Sequence, residues 1–490
     1  MPNYLCSLPG VGPKTAYCVM MYSLKRSVFP ADANVIRVAY RMGLTGFSPL
    51  QHKKAQEELV KKIPPKLSYT LHVNMVQHGR KVCTKLPKCN SCSIRKFCKS
   101  FRGNARKGRK GHYSVVDLFC GAGGLSTGFS RRGFKLLFAI DNSSEAIDTF
   151  RLNHPELSED NIFLGDIGGL IGKRLNSVVL NNRVDVVVGG PPCQGFSLAG
   201  ARIRSSINGV RYLDDARNHL YKEFARIVKK LAPKIFIMEN VIGFLSAKDG
   251  FYRQAIYHEF NKERPRYLIQ ELRIDASEFG VPQARHRLWF VGVKIDRKGS
   301  KKSSQVLDAI TKQLEREKED PPTLLKTIQD LPFIGPGGGG EVIHQVLHKG
   351  NEKLVFNHLA RKHHPRDLKL FKLLQPGERG YEAVYKYGRP DLMPFRTDIF
   401  KDKYRKLRGD MISPTIVAHL EKDAHMFIHP EIPRGLTVRE SARLQTFPDD
   451  YIFLGSFGQQ FRQVGNAVPP LLSLKLASAI GVGLSTLAKN

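Results

Sequence analysis

The first 112 residues almost lack acidic side chains. They hold 22 lysines and arginines but only three acids, Asp32, Glu57 and Glu58, which gives a local net charge of +19. The whole chain of 490 residues carries 78 Lys and Arg against 44 Asp and Glu, a formal net charge of +34. Such a deficit of negative charge favours a polyanionic partner, most simply nucleic acid. We expect the front segment in particular to contact phosphate.

The chain also lacks the features of a membrane or secreted protein. No apolar run approaches the roughly 20 residues that span a bilayer, and no signal-peptide pattern opens the sequence. Cysteine is scarce, with eight residues, and four of these cluster at Cys83, Cys89, Cys92 and Cys98. This arrangement is typical of a metal site in a reducing compartment and not of a disulfide framework. We therefore expect a cytoplasmic protein without a membrane partner.

The length of the chain predicts two or three domains. Residues 1–98 have mostly helical patterns, and residues 99–112 form a basic linker. Beyond the linker, short buried strands alternate with helical segments, which predicts an α/β fold with a doubly wound sheet. Residues 299–432 are basic and loop-rich and interrupt this alternation. We predict a sheet domain in two parts, 113–298 and 433–490, around an inserted domain.

Two predicted strands end in residues that suit covalent chemistry. One apolar run passes through two glycines, Pro191 and Pro192 to Cys193, and a second run leads to Glu239. In an open α/β sheet, ligands bind at the carboxyl ends of the strands. A thiol nucleophile and a proton donor at neighbouring strand ends suit attack on a heteroaromatic ring.

A glycine-rich turn, residues 117–124, follows the first predicted strand of this domain. Glycines there allow the backbone to approach a ligand closely. Asp141 ends the second strand about twenty residues later, where it is placed to accept hydrogen bonds from ribose hydroxyls. Asp166 follows a third strand and suits an adenine amino group. The three features together predict a nucleotide-like cofactor.

Six motifs occur in the order DLFCGAGG, GGPPCQGFS, MENV, FGVPQARHR, LTVRESARLQTFP and QVGNAVPP. This series resembles that of DNA cytosine-5 methyltransferases and covers residues 113 to about 485. The resemblance implies a Rossmann-like domain that uses S-adenosylmethionine, a target-recognition domain at 299–432, and a cytosine flipped out of the duplex. The cofactor contacts that it implies are Phe119, Gly121, Gly123, Gly124, Asp141, Asp166, Ile167, Pro192 and Asn466.

The same resemblance implies the catalytic roles. Cys193 would add as a thiolate to C6 of cytosine, and Glu239 would hold or protonate N3. Arg285 would steady the flipped base or the thiolate, and Arg287 would support the site. With Gln283, the two arginines alternate along the chain, so we predict that all three project from one face of a strand.

The front segment has a signature of its own. Residues 8–15, LPGVGPKT, form a helix–hairpin–helix motif whose glycine turn offers backbone N–H groups to a phosphate. Lys14 and Asp32 resemble the catalytic pair of the endonuclease III family of base-excision glycosylases, in which the Lys amine is the nucleophile. The cysteine spacing of residues 83–98 resembles the 4Fe–4S loop of that family, although four thiolates also suit zinc. We predict a small all-α domain with a four-Cys cluster loop.

Two functions remain open for this front domain. In the endonuclease III family a helical barrel precedes the hairpin, whereas seven residues precede Leu8 here. Either Met1 is not the true start, or the domain has lost its pocket. The domain is therefore predicted to be a T/G mismatch glycosylase, which removes thymines that arise by deamination of 5-methylcytosine, or a non-catalytic DNA clamp.

The expected partners are double-stranded DNA and, where one exists, a cognate restriction endonuclease. We expect a monomer on DNA, associated with the nucleoid of a prokaryotic-type cytoplasm. Two other classes stay open: a non-catalytic DNA-binding protein that keeps both folds, and an RNA methyltransferase. The sequence after the predicted nucleophile, Gln194 to Ser197, resembles the DNA-directed form.

Overall fold

The structure is a computed structural model of the chain, which divides into two compact units, residues 1–107 and 108–490. The residues that it describes are 2–9, 11–47, 51–84, 92–94, 97–100, 113–169, 183–192, 220–247, 249–296, 299–346, 352–394 and 403–488.

The front unit is helical where it is described. Its helices are α1 (Pro2–Cys6), α2 (Pro13–Tyr22), α3 (Ala33–Met42), α4 (His52–Lys62) and α5 (Ser68–Lys81). Asp32 caps α3 with its side chain, and Gly43 ends that helix with a positive φ of 79°. The apolar face of α3 packs with Leu59 of α4 and Met75 of α5 into a small core. The helical pattern of this segment is thus confirmed.

A seven-stranded sheet organises the second unit. Its strands are β1 (Ser114–Leu118), β2 (Lys135–Asp141), β3 (Ile162–Leu164), β4 (Val186–Gly189), β5 (Ile235–Val241), β6 (Tyr267–Asp275) and β7 (His286–Lys294). The strand order is β3-β2-β1-β4-β5-β7-β6. Strands β1 to β5 are parallel, and β7 pairs antiparallel with both β5 and β6. The predicted α/β fold is confirmed, with a mixed sheet.

Helices cover both faces of this sheet, and the strands are buried between them because their side chains are apolar on both sides. The covering helices are α6 (Gly124–Arg132), α7 (Ser144–Asn153), α8 (Leu220–Leu231), α9 (Phe251–Asn261) and α10 (Lys301–Arg316), with α16 (Pro470–Ala488) closing the domain. One face packs against α8 and α9, and the other face packs against α6, α10 and α16.

The predicted insertion at 299–432 begins with a helix that belongs to the sheet. Four apolar side chains of α10 are buried in the same core as Leu476 and Ile480 of α16, so this helix is a layer of the sheet domain. Less regular structure follows: α11 (Leu324–Ile328), a hairpin of β8 (Gly339–Val346) and β9 (Glu352–Leu359), α12 (Pro365–Leu373) and α13 (Gly380–Lys386). The chain then returns through α14 (Val438–Leu444) and α15 (Phe457–Asn466).

The segment Phe457–Ala488, which contains α15 and α16, is long and apolar enough to cross a membrane by length and composition alone. Half of its most apolar window is buried inside the protein. Because Leu472, Leu476 and Leu484 of α16 lie in the sheet core, the apolar character is explained by packing.

Candidate functional site

The predicted site residues gather at the carboxyl edge of the parallel strands. Phe119 follows β1, Asp141 ends β2, Asp166 follows β3, and Glu239 lies near the end of β5. The strand order reverses between β1 and β4, which makes their tips a topological switch point. Ligands of open α/β sheets bind at this position.

The turn after β1 has a backbone conformation that residues other than glycine rarely adopt. Phe119, Gly121 and Gly123 have positive φ angles of 61°, 52° and 92°. A Cβ atom on Gly124 would lie 2.2 Å from the carbonyl oxygen of Val468, so α6 begins in direct contact with the segment after α15. A Cβ atom on Gly121, in contrast, would meet nothing within 4 Å. Space is therefore open at Gly121 while its neighbours are packed tightly.

Asp141 ties the second strand to this turn. Its Oδ2 accepts a hydrogen bond of 2.8 Å from the amide of Gly121, and its Oδ1 accepts one of 2.9 Å from the amide of Ser143. Burial raises the pKa of the Asp141 carboxyl, and these amide hydrogen bonds partly offset that rise. The carboxylate is thus held beside the open space at Gly121.

The other predicted cofactor residues divide into exposed and buried ones. Asp166 is exposed, and its Oδ1 accepts a hydrogen bond of 2.6 Å from the amide of Gly168. Asn466 and Pro192 are exposed, whereas the Ile167 side chain is buried in the core on the α8 side of the sheet. Exposed Asp166 and Asn466 can meet a ligand with their side chains, while Ile167 offers its backbone.

These residues fit S-adenosylmethionine. Gly121 leaves a cradle that a side chain would fill, and a buried carboxylate stands beside it at the end of β2. An adenosine moiety needs hydrogen-bond acceptors for its hydroxyl and amino groups, which Asp141 and Asp166 supply.

Glu239 forms the centre of a second group, on the β4–β5–β7 side of the edge. Its Oε1 lies 2.9 Å from Nε of Arg287, and both side chains are less than one-fifth exposed. A Cβ atom on Gly190 would lie 3.2 Å from Oε2 of Glu239, so the carboxylate borders the strand tip that leads to Cys193. Cys193 itself lies outside the described residues, which stop at Pro192 before resuming at Leu220.

Arg285 precedes the strand that holds Arg287 and is more deeply buried. It is 2% exposed, and its guanidinium donates to the carbonyl oxygens of Ile416 at 3.0 Å and Gly465 at 3.2 Å. Gln283 is also buried and bonds the backbone of Ile416 and Leu444. Because β7 begins only at His286, these two residues lie in the loop before it, and the prediction of one strand face for all three is wrong.

The positively charged Arg287 lies close enough to Arg285 to affect its pKa. Burial lowers its pKa well below the usual range, and the positive charge of Arg287 lowers it further. Its contacts join the segments around 416 and 465, so its position supports the backbone of the site. Among the described residues, Arg287 lies within ion-pair distance of Glu239, and Arg285 does not.

In the front unit, Lys14 lies in the first turn of α2 and Asp32 lies at the start of α3. Asp32 is 9% exposed, and its Oδ1 accepts a hydrogen bond of 2.8 Å from the amide of Val35. Helix capping alone therefore accounts for the burial of this carboxylate.

Three of the four predicted cluster cysteines are described. Cys83 and Cys98 contact Arg41 through its side chain and its carbonyl oxygen respectively, and Cys92 lies 3.5 Å from Nε2 of His78. Within the described ranges, no group of three or more His, Cys, Asp or Glu side chains is placed to hold a metal ion. Cys89 lies outside those ranges. The described cysteines therefore do not form the predicted metal site.

Three residues that the motifs did not predict, Thr127, His154 and Tyr451, contact the glycine-rich turn of residues 117–124, which we call the cofactor turn. Tyr451 donates to the carbonyl oxygen of Ala122, and His154 lies 3.5 Å from the same tyrosine hydroxyl. Thr127 follows the glycine motif by three positions, which was the only local signal. His154 and Tyr451 are 297 positions apart, and no sequence periodicity connects them.

Residues 113–482 match the family of C-5 cytosine-specific DNA methylases. The chain is 34% identical to the type II methyltransferase M.DdeI of Desulfomicrobium norvegicum, over 75% of this chain and 88% of that protein. It is 34% identical to M.AgeI of Thalassovita gelatinovora (76% of this chain, 100% of that protein) and 35% identical to M1.HphI of Haemophilus parahaemolyticus (75% and 86%).

A solved structure is similar as well. The crystal structure of a prophage-encoded protein of E. coli, described as a DNA modification methyltransferase, aligns with a TM-score of 0.56 and 25% identity. The alignment covers 77% of this chain and 100% of that one. The likeness therefore concerns the second unit as a whole.

Proposed function

The chain belongs to the family of C-5 cytosine-specific DNA methylases, and we propose that it methylates C5 of cytosine in duplex DNA. The observation that carries this proposal is the position of Glu239. Its carboxylate pairs with Arg287 and borders Gly190, three residues before the nucleophile Cys193. S-adenosylmethionine, when bound, supplies the activated methyl group that C5 takes.

The protein side chains make C5 reactive. The Cys193 thiolate adds to C6 of a flipped-out cytosine, and the electron pair of the C5–C6 bond moves toward C5. Glu239 holds or protonates N3 and so neutralises the charge that the addition places on the ring. After methylation, loss of the C5 proton restores the double bond and expels Cys193 as a thiolate.

The two arginines have different roles in this scheme. Arg287 holds the Glu239 carboxylate in a fixed orientation through their 2.9 Å ion pair. Arg285 is a positioning residue in this proposal, because its two terminal nitrogens bond the carbonyl groups of Ile416 and Gly465, while its buried Nε has no partner within the described part of the chain. Arg285 thus joins the catalytic edge to the segments that close the domain.

The region after Arg316 is proposed to read the DNA sequence. It contains the β8–β9 hairpin and two short helices, and it is basic, as a groove-binding region must be. Several relatives are named type II methyltransferases, so we infer that this protein acts in the cytoplasm within a restriction–modification system.

For the front unit we propose binding to the DNA backbone, which its local net charge of +19 supports. Excision of thymine from T·G mismatches is the second candidate, and it rests on Lys14 together with a nearly buried Asp32. No step of either function is assigned to a metal cluster, because the described cysteines do not converge on one.

Transfer of labelled methyl groups to duplex DNA of mixed sequence tests the main proposal. We expect the wild type to label duplex DNA and not tRNA, and Cys193→Ser to lose at least about 1,000-fold in rate. Glu239→Gln is expected to lose about 100-fold or more. A duplex that carries 5-fluorocytosine should trap the wild type covalently, because the fluorine at C5 cannot leave as a proton does.

Cys6→Ser is the matched control, since Cys6 is an exposed free thiol of the front unit. It should methylate and be trapped like the wild type. A Cys193→Ser protein that methylates as fast as the wild type would contradict the proposal, and so would labelling of tRNA alone.

A further inference from the structure

Two buried hydroxyls bond consecutive carbonyl groups of the cofactor turn. Tyr451 donates to the carbonyl oxygen of Ala122, and Thr127 donates to that of Gly123 at 2.7 Å. A Cβ atom on Gly123 would lie 2.6 Å from Nε2 of His154 and 2.7 Å from the Tyr451 hydroxyl. The turn therefore packs directly against these side chains, with no room for a larger residue.

His154 joins the two hydroxyls. Its Nε2 lies 3.3 Å from Oγ1 of Thr127 and 3.5 Å from the hydroxyl of Tyr451. Each hydroxyl has one proton and donates it to a carbonyl group, so Nε2 can only act as a donor to them. The hydrogen bonds on this side require a proton on Nε2.

The other ring nitrogen faces a carboxylate. Nδ1 of His154 lies 3.0 Å from Oε1 of Glu156. Burial alone would raise the pKa of Glu156, but hydrogen bonds from His154 and Ser130 hold it below its usual range, so this carboxylate is ionised. An ionised carboxylate only accepts hydrogen bonds. His154 therefore links Glu156 on one side of its ring to the hydroxyls of Thr127 and Tyr451 on the other.

Tyr451 is itself held from two sides. The side-chain amide of Asn153, at the end of α7, exchanges hydrogen bonds of 2.8 and 3.0 Å with the backbone of Ile452. Asn357 in β9 makes the same exchange with the backbone of Phe453, at 2.9 Å in both directions. Asn357 has a positive φ of 57°, which a residue in a strand adopts only when its contacts hold it there.

We propose that Tyr451, Thr127 and His154 are positioning residues that fix the cofactor turn and thereby set the affinity for S-adenosylmethionine. His154 orients both hydroxyls toward the carbonyl groups of Ala122 and Gly123, which fixes the two peptide planes that flank Gly123, two residues after the open space at Gly121. None of the three needs to touch the cofactor. The inference rests on the proposed methyltransferase function.

Removal of one hydroxyl tests the proposal. Tyr451→Phe and Thr127→Val should each raise the dissociation constant and the KM for S-adenosylmethionine about 5- to 20-fold. The first removes the side-chain donor of the Ala122 carbonyl, and the second leaves the Gly123 carbonyl with only the backbone amide of residue 127. The kcat at saturating cofactor and the KM for DNA should stay within about twofold of the wild type. Calorimetric titration gives the dissociation constant, and steady-state methylation gives the other constants.

Two further variants separate positioning from a general loss of stability. Thr127→Ser keeps the hydroxyl and should restore the wild-type KM. Tyr267→Phe is the matched control, because the buried Tyr267 hydroxyl also donates to a carbonyl oxygen, that of Pro233 at 3.0 Å, within the same sheet domain. It should leave the KM for S-adenosylmethionine unchanged.

The split between KM and kcat provides a readout that a general loss of stability would not move. His154→Gln keeps a neutral hydrogen-bond donor at this position and should raise the KM for S-adenosylmethionine less than His154→Ala, which leaves no donor to the two hydroxyls.

Three results would overturn the inference: a KM within twofold of the wild type for both Tyr451→Phe and Thr127→Val, an equal rise for Tyr267→Phe, or a wild-type KM in His154→Ala. A wild-type protein that binds no S-adenosylmethionine would instead refute the proposed function itself. The two failures are therefore distinguishable.

Discussion

The two units differ in where they keep their charge. In the sheet unit, some charged side chains are inside: Arg434 and Glu440 form a two-point ion pair at 1% and 3% exposure, and Arg439 is fully buried. In the front unit, the ion pair of Lys62 with Glu58 is exposed. Buried charged side chains fix the backbone around a site through ion pairs and hydrogen bonds, whereas surface charge attracts an oppositely charged partner.

This contrast explains why one set of motifs gave a coherent site and the other did not. The residues of the sheet unit are brought to one strand edge and fixed there by buried polar contacts. In the front unit, Asp32 is used as a helix cap and the basic side chains are distributed over the surface. The contrast predicts that substitutions in the sheet unit act through stability and chemistry, and those in the front unit through salt-dependent binding.

The largest effect should come from the buried ion pair. Hydrogen bonds and charge from Arg434 outweigh burial and hold the pKa of Glu440 at about 2. Glu440→Gln leaves the Arg434 guanidinium buried without its counter-charge, which should cost about 3–5 kcal/mol in the free energy of unfolding. Chemical denaturation followed by circular dichroism measures this loss.

Glu421→Gln is the control for that measurement. Glu421 pairs with Arg462 at 2.6 Å, but the Arg462 side chain is 57% exposed. Loss of this pair should cost less than about 1 kcal/mol. Equal effects of the two substitutions would remove the contrast between buried and exposed charge.

A smaller effect is expected at Asp117, where a substitution should raise the free energy of unfolding and not lower it. Its carboxyl is fully buried, Oδ2 accepts from Ser126 at 2.6 Å, and Oδ1 has no hydrogen-bond partner within the described part of the chain. Burial raises its pKa from 3.8 to about 7. Because the folded pKa lies above the unfolded one, this group stabilises the fold at low pH, and the contribution is lost as pH rises through about 7.

Asp117→Asn should therefore gain stability relative to the wild type as pH rises. Between pH 5.5 and 8 the difference in the free energy of unfolding should grow by about 2 kcal/mol, and it should level off above that range. Denaturation series at several pH values give this curve. Asp148→Asn, at an exposed helical site, should show no such trend; a flat curve for Asp117→Asn would mean that the buried carboxyl stays ionised.

The smallest effect is expected at Lys14. If the front unit only binds the DNA backbone, Lys14→Ala should weaken duplex binding a few-fold irrespective of sequence. The slope of the logarithm of the binding constant against the logarithm of the salt concentration should fall in magnitude by about one, and kcat for methylation should stay within twofold of the wild type. Binding titrations at several salt concentrations measure this.

A cleavage assay on a labelled duplex with one T·G mismatch distinguishes the two candidate functions of the front unit. Strand cleavage by the wild type and not by Lys14→Ala would assign a glycosylase to the front unit.

Short-range patterns predicted the sheet and its edge well. Asp141 and Glu239 were found because each follows an apolar run directly, and a strand carries its last residues to the ligand edge wherever it lies in the sheet. The partners of Arg285 could not be found in this way, because Ile416 and Gly465 are 131 and 180 positions away. The prediction that Gln283 and Arg285 belong to the same strand as Arg287 was wrong because the strand begins only at His286, and alternation holds only within a strand.

The distance between Ala122 and Tyr451 also has a consequence for how the protein is made. The two residues whose contact supports the cofactor turn are 329 positions apart. At roughly 5–20 residues per second, a ribosome needs on the order of 15–70 s to pass from one to the other. During that interval the glycine turn exists without its rear support, while the first strands are already free of the ribosome. The proposed role of Tyr451 therefore predicts that a nascent chain binds the methyl donor more weakly until synthesis is nearly complete.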